Sequence, residues 1–114
     1  MSEFVEHPPV PQLLQEKLKD YPEIVAELQD ALNGVNRSPG MSKTRLTDEF
    51  EKAIWCLEDG LDHYASLASQ EVRTAEALGN TDRIAKAKAK ETLMHNARSS
   101  VFRCLEELGS FFGR

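Results

Sequence analysis

The longest hydrophobic pattern in the chain runs from Leu46 to Leu78 and contains no proline. Apolar side chains recur there every three or four residues, the spacing that places them on one face of an α-helix. Thr47 is the predicted N-cap and Gly79 the predicted left-handed C-cap. The stripe consists of Phe50, Ile54, Leu57, Leu61, Tyr64, Ala68, Val72 and Ala75. The pattern predicts a helix over residues 46–78 that is about 50 Å long and needs a partner of similar length.

A second helical stripe begins after a short break at residues 79–82. Thr81 is its predicted N-cap, and the helix is expected to run to residue 112. Its apolar face consists of Ile84, Ala87, Met94, Ala97, Val101, Leu105, Leu108 and Phe112. Two long helices joined by a tight turn lie antiparallel, so residues 46–78 and 81–112 are predicted to form a helical hairpin.

The segment before the hairpin predicts a shorter, kinked helical arm. Prolines that fit a first helical turn start two amphipathic pieces, over residues 11–19 and 21–33. Residues 1–10 carry two consecutive prolines and no hydrophobic period, which predicts a flexible lead. Residues 36–44 are rich in turn-forming residues and predict a loop that lets the arm fold back.

Side-chain size changes along the predicted hairpin. Near the turn the facing residues are mostly alanines, which let two backbones approach closely and leave little apolar surface. At the open end they are large and aromatic, so a third layer is expected there. The sequence therefore predicts an all-α fold: a long antiparallel helical hairpin with the kinked arm packed at its open end. This three-layer helical bundle would form a single domain over residues 11–114.

Composition and charge narrow the class of protein. The chain has 114 residues, 40% of them hydrophobic and 29% charged, and no apolar run approaches the ~20 residues that span a bilayer. A cytoplasmic location without membrane contact is expected. Cys56 and Cys104 are level on the predicted hairpin and could oxidise to a bridge, but free, partly buried thiols are the expected state in a reducing cytosol. Charge is uneven, because residues 1–79 hold 15 acids against 7 Lys and Arg whereas residues 80–114 hold 4 against 7. This asymmetry would either orient a partner or be compensated between antiparallel helices.

Two histidine–carboxylate pairs are the candidate site for the alternative function, a helical-bundle protein that binds a metal or another ligand, or an enzyme. Asp59 and His63 are four residues apart on the first long helix, and Glu91 and His95 repeat that spacing on the second. Carboxylate and imidazole ligands on facing helices build metal sites in helical bundles. Helical rotation, however, places both histidines well away from the core faces. Exposed pairs within each helix are therefore the preferred interpretation, and no cofactor is predicted.

The basic second helix is the candidate for nucleic-acid contact. Its cations scatter around the helix without an interleaved aromatic residue, so nucleic acid is not the expected partner. They are Arg83, Lys86, Lys88, Lys90, Arg98 and Arg103. A Lys- and Ala-rich segment is equally what helix propensity favours.

Aromatic residues off the main stripes give the preferred functional hypothesis. Trp55 projects away from the predicted core face, so either the arm covers it or it anchors a partner. The predicted partner surface combines Trp55 with Phe102, Phe111 and Phe112. Gly60 inside the helix suggests close approach by another element. The sequence thus predicts a non-catalytic interaction or regulatory module that binds a protein partner or itself, with the oligomeric state left open.

Overall fold

In the computed structural model, residues 5–113 are described, and within that range the regular structure is helical apart from one isolated β-bridge. Five α-helices and one 3₁₀ segment occur in chain order. They are α1 (Gln12–Lys17), α2 (Pro22–Leu32), α3 (Lys43–Leu78), α4 (Thr81–Ser99), the 3₁₀ segment Ser100–Cys104, and α5 (Leu105–Phe111). The molecule measures 57 × 27 × 20 Å, and its long dimension is set by the hairpin of α3 and α4. The all-α hairpin with an N-terminal arm is confirmed.

Helix α3 begins three residues earlier than the hydrophobic stripe does. Its N-cap is Ser42 instead of Thr47, and the Ser42 hydroxyl accepts a hydrogen bond from the Arg45 N–H at 3.1 Å. The first turn carries no apolar residue before Leu46, so the stripe could not reveal it. At the other end Gly79 adopts φ 69°, and the Asn80 N–H donates to the Ala75 carbonyl, which closes the helix in a Schellman motif as predicted for this glycine.

The second half of the hairpin is not one continuous helix. The sequence predicted a single helix over residues 81–112, and the structure interrupts it. Its N-cap is Asn80, whose side chain accepts from the Arg83 N–H at 3.1 Å. Helix α4 ends at Ser99, and the Ser100 hydroxyl then donates to the Ala97 carbonyl at 2.8 Å. Such local serine bonds compete with the α-helical ladder, and the chain passes through a tighter 3₁₀ turn. The tighter turn rotates the following residues relative to the helical wheel.

Polar pairs across the hairpin fix its register. Arg98 Nε lies 3.0 Å from Asp62 Oδ1, and Lys90 Nζ lies 3.4 Å from Glu71 Oε1. The Ser69 hydroxyl also donates to the Glu91 carboxylate. Small residues line the tip, where Ala68 and Ala75 are buried against α4. Tyr21 of the N-terminal arm lines one pocket with Ala75 and Ala87, so the arm reaches further towards the turn than the predicted slim tip allows.

The arm consists of two antiparallel helices, α1 and α2, that lie over one face of the hairpin. Helix α1 lies along the C-terminal part of the chain, where the Gln12 N–H donates to the Glu107 carboxylate at 3.1 Å. The chain turns at Tyr21, the N-cap of α2, and Pro22 occupies the first helical position. Helix α2 then returns along α3, and the Asn36 N–H reaches Glu49 Oε1 at 2.7 Å.

Residues 5–10 are extended and bonded to the arm. Glu6 and Arg37 exchange two backbone hydrogen bonds in the isolated antiparallel bridge, at 2.7 and 2.8 Å. The Val10 N–H donates to Gln29 Oε1, and Gln29 Nε2 donates to the Pro8 carbonyl, both at 3.0 Å. The flexible lead predicted for residues 1–10 thus includes a bonded part, and residues 1–4 lie outside the described range.

One continuous core joins the three layers. Leu14 and Leu18 from α1, and Leu28 and Leu32 from α2, are buried against the large residues of the hairpin base. The hairpin contributes Ala53, Leu57, Leu61, Ala65, Ala68, Met94, Ala97, Val101, Cys104, Leu108 and Phe112. Among the described residues no buried side-chain nitrogen or oxygen lacks a hydrogen-bond partner. The arm is therefore an integral layer of the fold.

Candidate functional site

Trp55 lies on the flank of α3 that the arm leaves uncovered. Its side chain is 59% exposed. The neighbouring residues on this flank, Glu58 and Asp62, both contact Arg98 of α4, at 3.4 and 3.0 Å. The arm instead meets the opposite flank, where the Cys56 thiol donates to the Ala31 carbonyl at 3.8 Å. Of the two interpretations left open by the sequence, arm packing over Trp55 does not occur.

The other three predicted interface aromatics have different environments. Phe102, in the 3₁₀ segment, is 66% exposed, and the Arg103 guanidinium lies 5.7 Å from its ring centroid. Phe111 is half-buried between the Arg37 guanidinium and Phe112. Phe112 is only 2% exposed and belongs to the core of the chain. Of the four predicted residues, Trp55 and Phe102 are therefore exposed, Phe111 is partly covered, and the prediction of a surface role for Phe112 is wrong.

The register places Trp55 and Phe102 at similar heights on the two arms of the hairpin. Asp62 contacts Arg98, so these two residues are level in the antiparallel hairpin. Moving seven residues, about two turns, from each towards the base gives Trp55 and Leu105 as the next level pair. Trp55 is thus about level with Leu105, which is itself 37% exposed, and Phe102 lies one turn away. The base of the hairpin therefore presents large apolar side chains to solvent both from α3 and from the chain that follows α4.

The four candidate metal ligands do not form one site. His63 is exposed and stacks edge-to-face on Tyr64 with ring centroids 5.4 Å apart. The Glu91 carboxylate accepts from the Ser69 hydroxyl in the hairpin interface. Asp59 and His95 are exposed on separate helices. Within residues 5–113 no group of three or more His, Cys, Asp or Glu side chains is arranged to hold a metal ion.

Both cysteines are free thiols in different degrees of burial. Burial, together with a smaller contribution from the nearby Glu107 carboxylate, raises the pKa of the Cys104 thiol from 9.0 to about 11. Burial also raises the pKa of Cys56, with Lys52 lowering it and Asp59 raising it by smaller amounts. Because the thiolate is the reactive form, both cysteines are poor nucleophiles at neutral pH.

The tip of the molecule holds a basic groove that the sequence pattern did not indicate. Its cavity of about 260 Å³ is lined by Arg83, Lys86 and Lys90 of α4 together with Tyr21. The Lys90 ammonium lies 5.4 Å from the centroid of the Tyr21 ring and also pairs with Glu71. Spacings of three and four place the three cations on one side of α4. The aromatic residue comes from the turn between α1 and α2, far away in the chain.

The fold defines this chain as an all-α hairpin protein whose arm covers one face of the hairpin and leaves exposed aromatics on its base. Comparisons with models of known families, with curated proteins and with solved structures found no match. In the part of the chain that the structure describes, no helix is long and apolar enough to cross a membrane. The exposed and charged side chains of the chain itself are therefore what points to a function.

Proposed function

We propose that this protein is a small, non-catalytic interaction module that binds a protein partner, or a second copy of itself, through the surface around Trp55. The observation that carries the proposal is the 59% exposure of Trp55 on a flank that the arm does not cover. Tryptophan is the residue type most enriched among the anchors of protein interfaces, because it buries a large area at low entropic cost. The exposed side chains of Phe102 and Leu105 extend the apolar area at the same end of the hairpin.

The setting of Trp55 resembles the usual anatomy of an interface. Glu58, Asp62 and Arg98 form a mutually paired polar group beside the ring. Such a group contributes little to stability at the surface, with exposed pairs worth roughly 0.2–1 kcal/mol. It can nonetheless serve as a polar rim that fixes orientation around an apolar anchor. The protonated thiols support a binding role over nucleophilic catalysis, and the two free cysteines fit a cytoplasmic setting.

Photocrosslinking from position 55 tests the proposal. A photoreactive phenylalanine analogue replaces Trp55 in the full chain inside the source cells, and a matched protein carries it at Gln70, an exposed position of α3 nearer the tip. We expect one discrete adduct, to a partner or to a second copy, from position 55 and none from position 70. Equal or absent adducts from the two positions would contradict the proposed surface.

Nucleic-acid binding is the second candidate function, and the basic groove at the tip favours it. Tyr21 supplies the aromatic ring beside Arg83 and Lys86, neither of which has an ion-pair partner among the described residues. We expect the protein to retard single-stranded nucleic acid in a gel, and the retardation to weaken as salt is raised. The double variant Arg83→Gln with Lys86→Gln should abolish the retardation. Arg73→Gln with Lys43→Gln removes the same charge elsewhere on α3 and serves as the control. Retention of binding in the Arg83 and Lys86 variant excludes this groove.

A further inference from the structure

A second surface groove lies between α2 and α3, along the side of α3 that α2 contacts. It has a cavity volume of about 400 Å³ and is lined by Glu27, Leu28, Ala31, Cys56, Asp59, Gly60, His63 and Tyr64. Its floor is the close contact of the two helices, where a Cβ built on Gly60 would meet Leu28 Cδ2 at 2.7 Å. The space above this contact stays open because Ala31 and Gly60 have almost no side chain to fill it.

The long wall of this groove matches the size of a short helical segment. Cys56, Gly60 and Tyr64 are four residues apart along α3, so the lined stretch extends over about 12 Å, or two helical turns. Leu67, which is 37% exposed, continues the apolar line one turn further. A helix that docks in such a groove inserts side chains at positions i, i+3 or i+4, and i+7. The dimensions favour that mode over a small-molecule cavity closed on all sides.

The rim of the groove is acidic and uncompensated. Glu27 and Asp59 line it, and spacings of three and four place Glu23 and Asp30 on the same side of α2 as Glu27. All four carboxylates are exposed, and none pairs with a cation among the described residues. The Trp55 flank differs, since Glu58 and Asp62 there both contact Arg98. Unpaired charge around an apolar groove selects a partner of opposite charge.

We propose that the α2–α3 groove binds an amphipathic helix of a partner protein, with an apolar stripe seated between α2 and α3 and lysine or arginine residues facing Glu23, Glu27, Asp30 and Asp59. The apolar contacts supply most of the affinity, and the carboxylates supply orientation and a salt-dependent association rate. Asp59, four residues from Trp55 on α3, borders both surfaces, whereas Glu27 and Ala31 of α2 belong to the groove alone, so Ala31→Phe tests the groove independently of the Trp55 surface.

A synthetic Lys/Leu helix of about 18 residues, long enough to be helical when bound, is the probe. Binding of the labelled peptide to the full chain is followed by fluorescence anisotropy, with a Glu/Leu peptide of the same pattern as the comparison. We expect the Lys/Leu peptide to bind at least tenfold more tightly than the Glu/Leu peptide. The Kd should rise with salt, because exposed charges are screened.

Charge reversal locates the binding site. The double variant Glu27→Lys with Asp59→Lys should weaken Lys/Leu peptide binding at least tenfold. The control, Asp48→Lys with Glu51→Lys, changes net charge equally at exposed α3 positions and should weaken binding less than twofold. Ala31→Phe fills the groove without a charge change and should also weaken binding. Circular dichroism melting confirms that each variant is folded.

Cys56 reports occupancy of the groove directly. In a Cys104→Ala background the bound Lys/Leu peptide should slow maleimide labelling of Cys56 about tenfold. The proposal is overturned if the two double variants lose affinity equally, if the Lys/Leu peptide does not bind, or if it binds without protecting Cys56. Protection that grows with protein concentration in the absence of peptide would assign the groove to a second copy and likewise overturn it.

Discussion

The two flanks of α3 differ in whether another element of the chain covers them. On the α2 side, Gly60 offers no side chain, and the helices approach until Leu28 would meet an added Cβ at 2.7 Å. On the other side, Trp55 projects into solvent with 59% of its surface exposed. One flank is in contact with α2 at Gly60, and the other has no arm residue over Trp55. The same helix therefore acts as core scaffold and as exposed surface along the same turns.

The comparison shows what limits coverage in a small chain. The arm contributes two short helices, and both are used on one face of the hairpin. The flank with Trp55 instead carries surface contacts such as those of Arg98 with Glu58 and Asp62. Ion pairs of this kind neutralise charge without burying apolar area. An aromatic residue on that face consequently remains available to another molecule.

Truncating the packed stripe of α3 should produce the largest effect. Leu61 has no exposed surface, and Leu61→Ala is expected to lower the free energy of unfolding by about 2–5 kcal/mol. Leu67 is 37% exposed, so Leu67→Ala on the same helix should cost less than about 1 kcal/mol. Urea unfolding monitored by circular dichroism measures both. Similar losses for the two leucines would show that the covered stripe is not the stabilising side of α3.

Adding a methyl group at Gly60 tests the close approach of α2. Alanine raises helix propensity by ~1 kcal/mol relative to glycine, yet the new Cβ would meet the buried Leu28 side chain. We expect Gly60→Ala to destabilise by a net amount of about 1–2 kcal/mol in urea unfolding. Leu28→Val in the same background should recover part of that loss. Ser66→Ala, on the exposed side of α3, is the control and should be neutral or stabilising. A stabilising Gly60→Ala would contradict the packing described here.

Alkaline unfolding tests whether the covered face is dry around Cys104. Burial raises the pKa of this thiol from 9.0 to about 11, so the folded state holds its proton more strongly than the unfolded chain does. The associated stability is complete below pH 9 and is lost as pH rises to 11. Cys104→Ala should reduce this loss by on the order of 1 kcal/mol. Parallel curves for the two proteins over that range would mean that the thiol is accessible to water.

Removing Trp55 should have the smallest effect on the isolated chain. Because its ring is mostly in solvent, Trp55→Ala is expected to change the free energy of unfolding by less than about 0.5 kcal/mol. Trp55 is the only tryptophan, so its emission should match exposed indole in dilute protein. A blue-shifted maximum at every concentration, together with a large loss of stability, would place Trp55 in the core after all.

Much of the fold could be predicted because its causes are local or periodic. The stripe of α3, the glycine at its end and the short turn define an antiparallel hairpin without further information. Gly60 also indicated the close approach that α2 makes. The interruption at Ser100–Cys104 was not predicted, since apolar spacing continues through it and the competing serine bond depends on local geometry.

The candidate surfaces were predictable only in part. Because Trp55 lies off the apolar stripe of α3, the sequence marked it as unusual. Its exposure was decided by the side of the hairpin on which the arm packs. Phe112 belongs to both the core stripe and the predicted surface, and packing on Phe50 at 6.1 Å places it in the core. Tyr21 joins the basic groove, and Glu27 faces Asp59, only through contacts between distant parts of the chain.

The sequence by itself determined the helical stripes, the hairpin turn and the large apolar residues at the base, because hydrophobic period, capping and side-chain size act over a few residues. The tertiary structure alone decided which flank of α3 is covered. That choice depends on the path of the arm from α1 through the turn at Tyr21 and back along α2, and on the absence of a side chain at Gly60. Docking of the arm buries one apolar face and so leaves the opposite flank, with Trp55, in solvent.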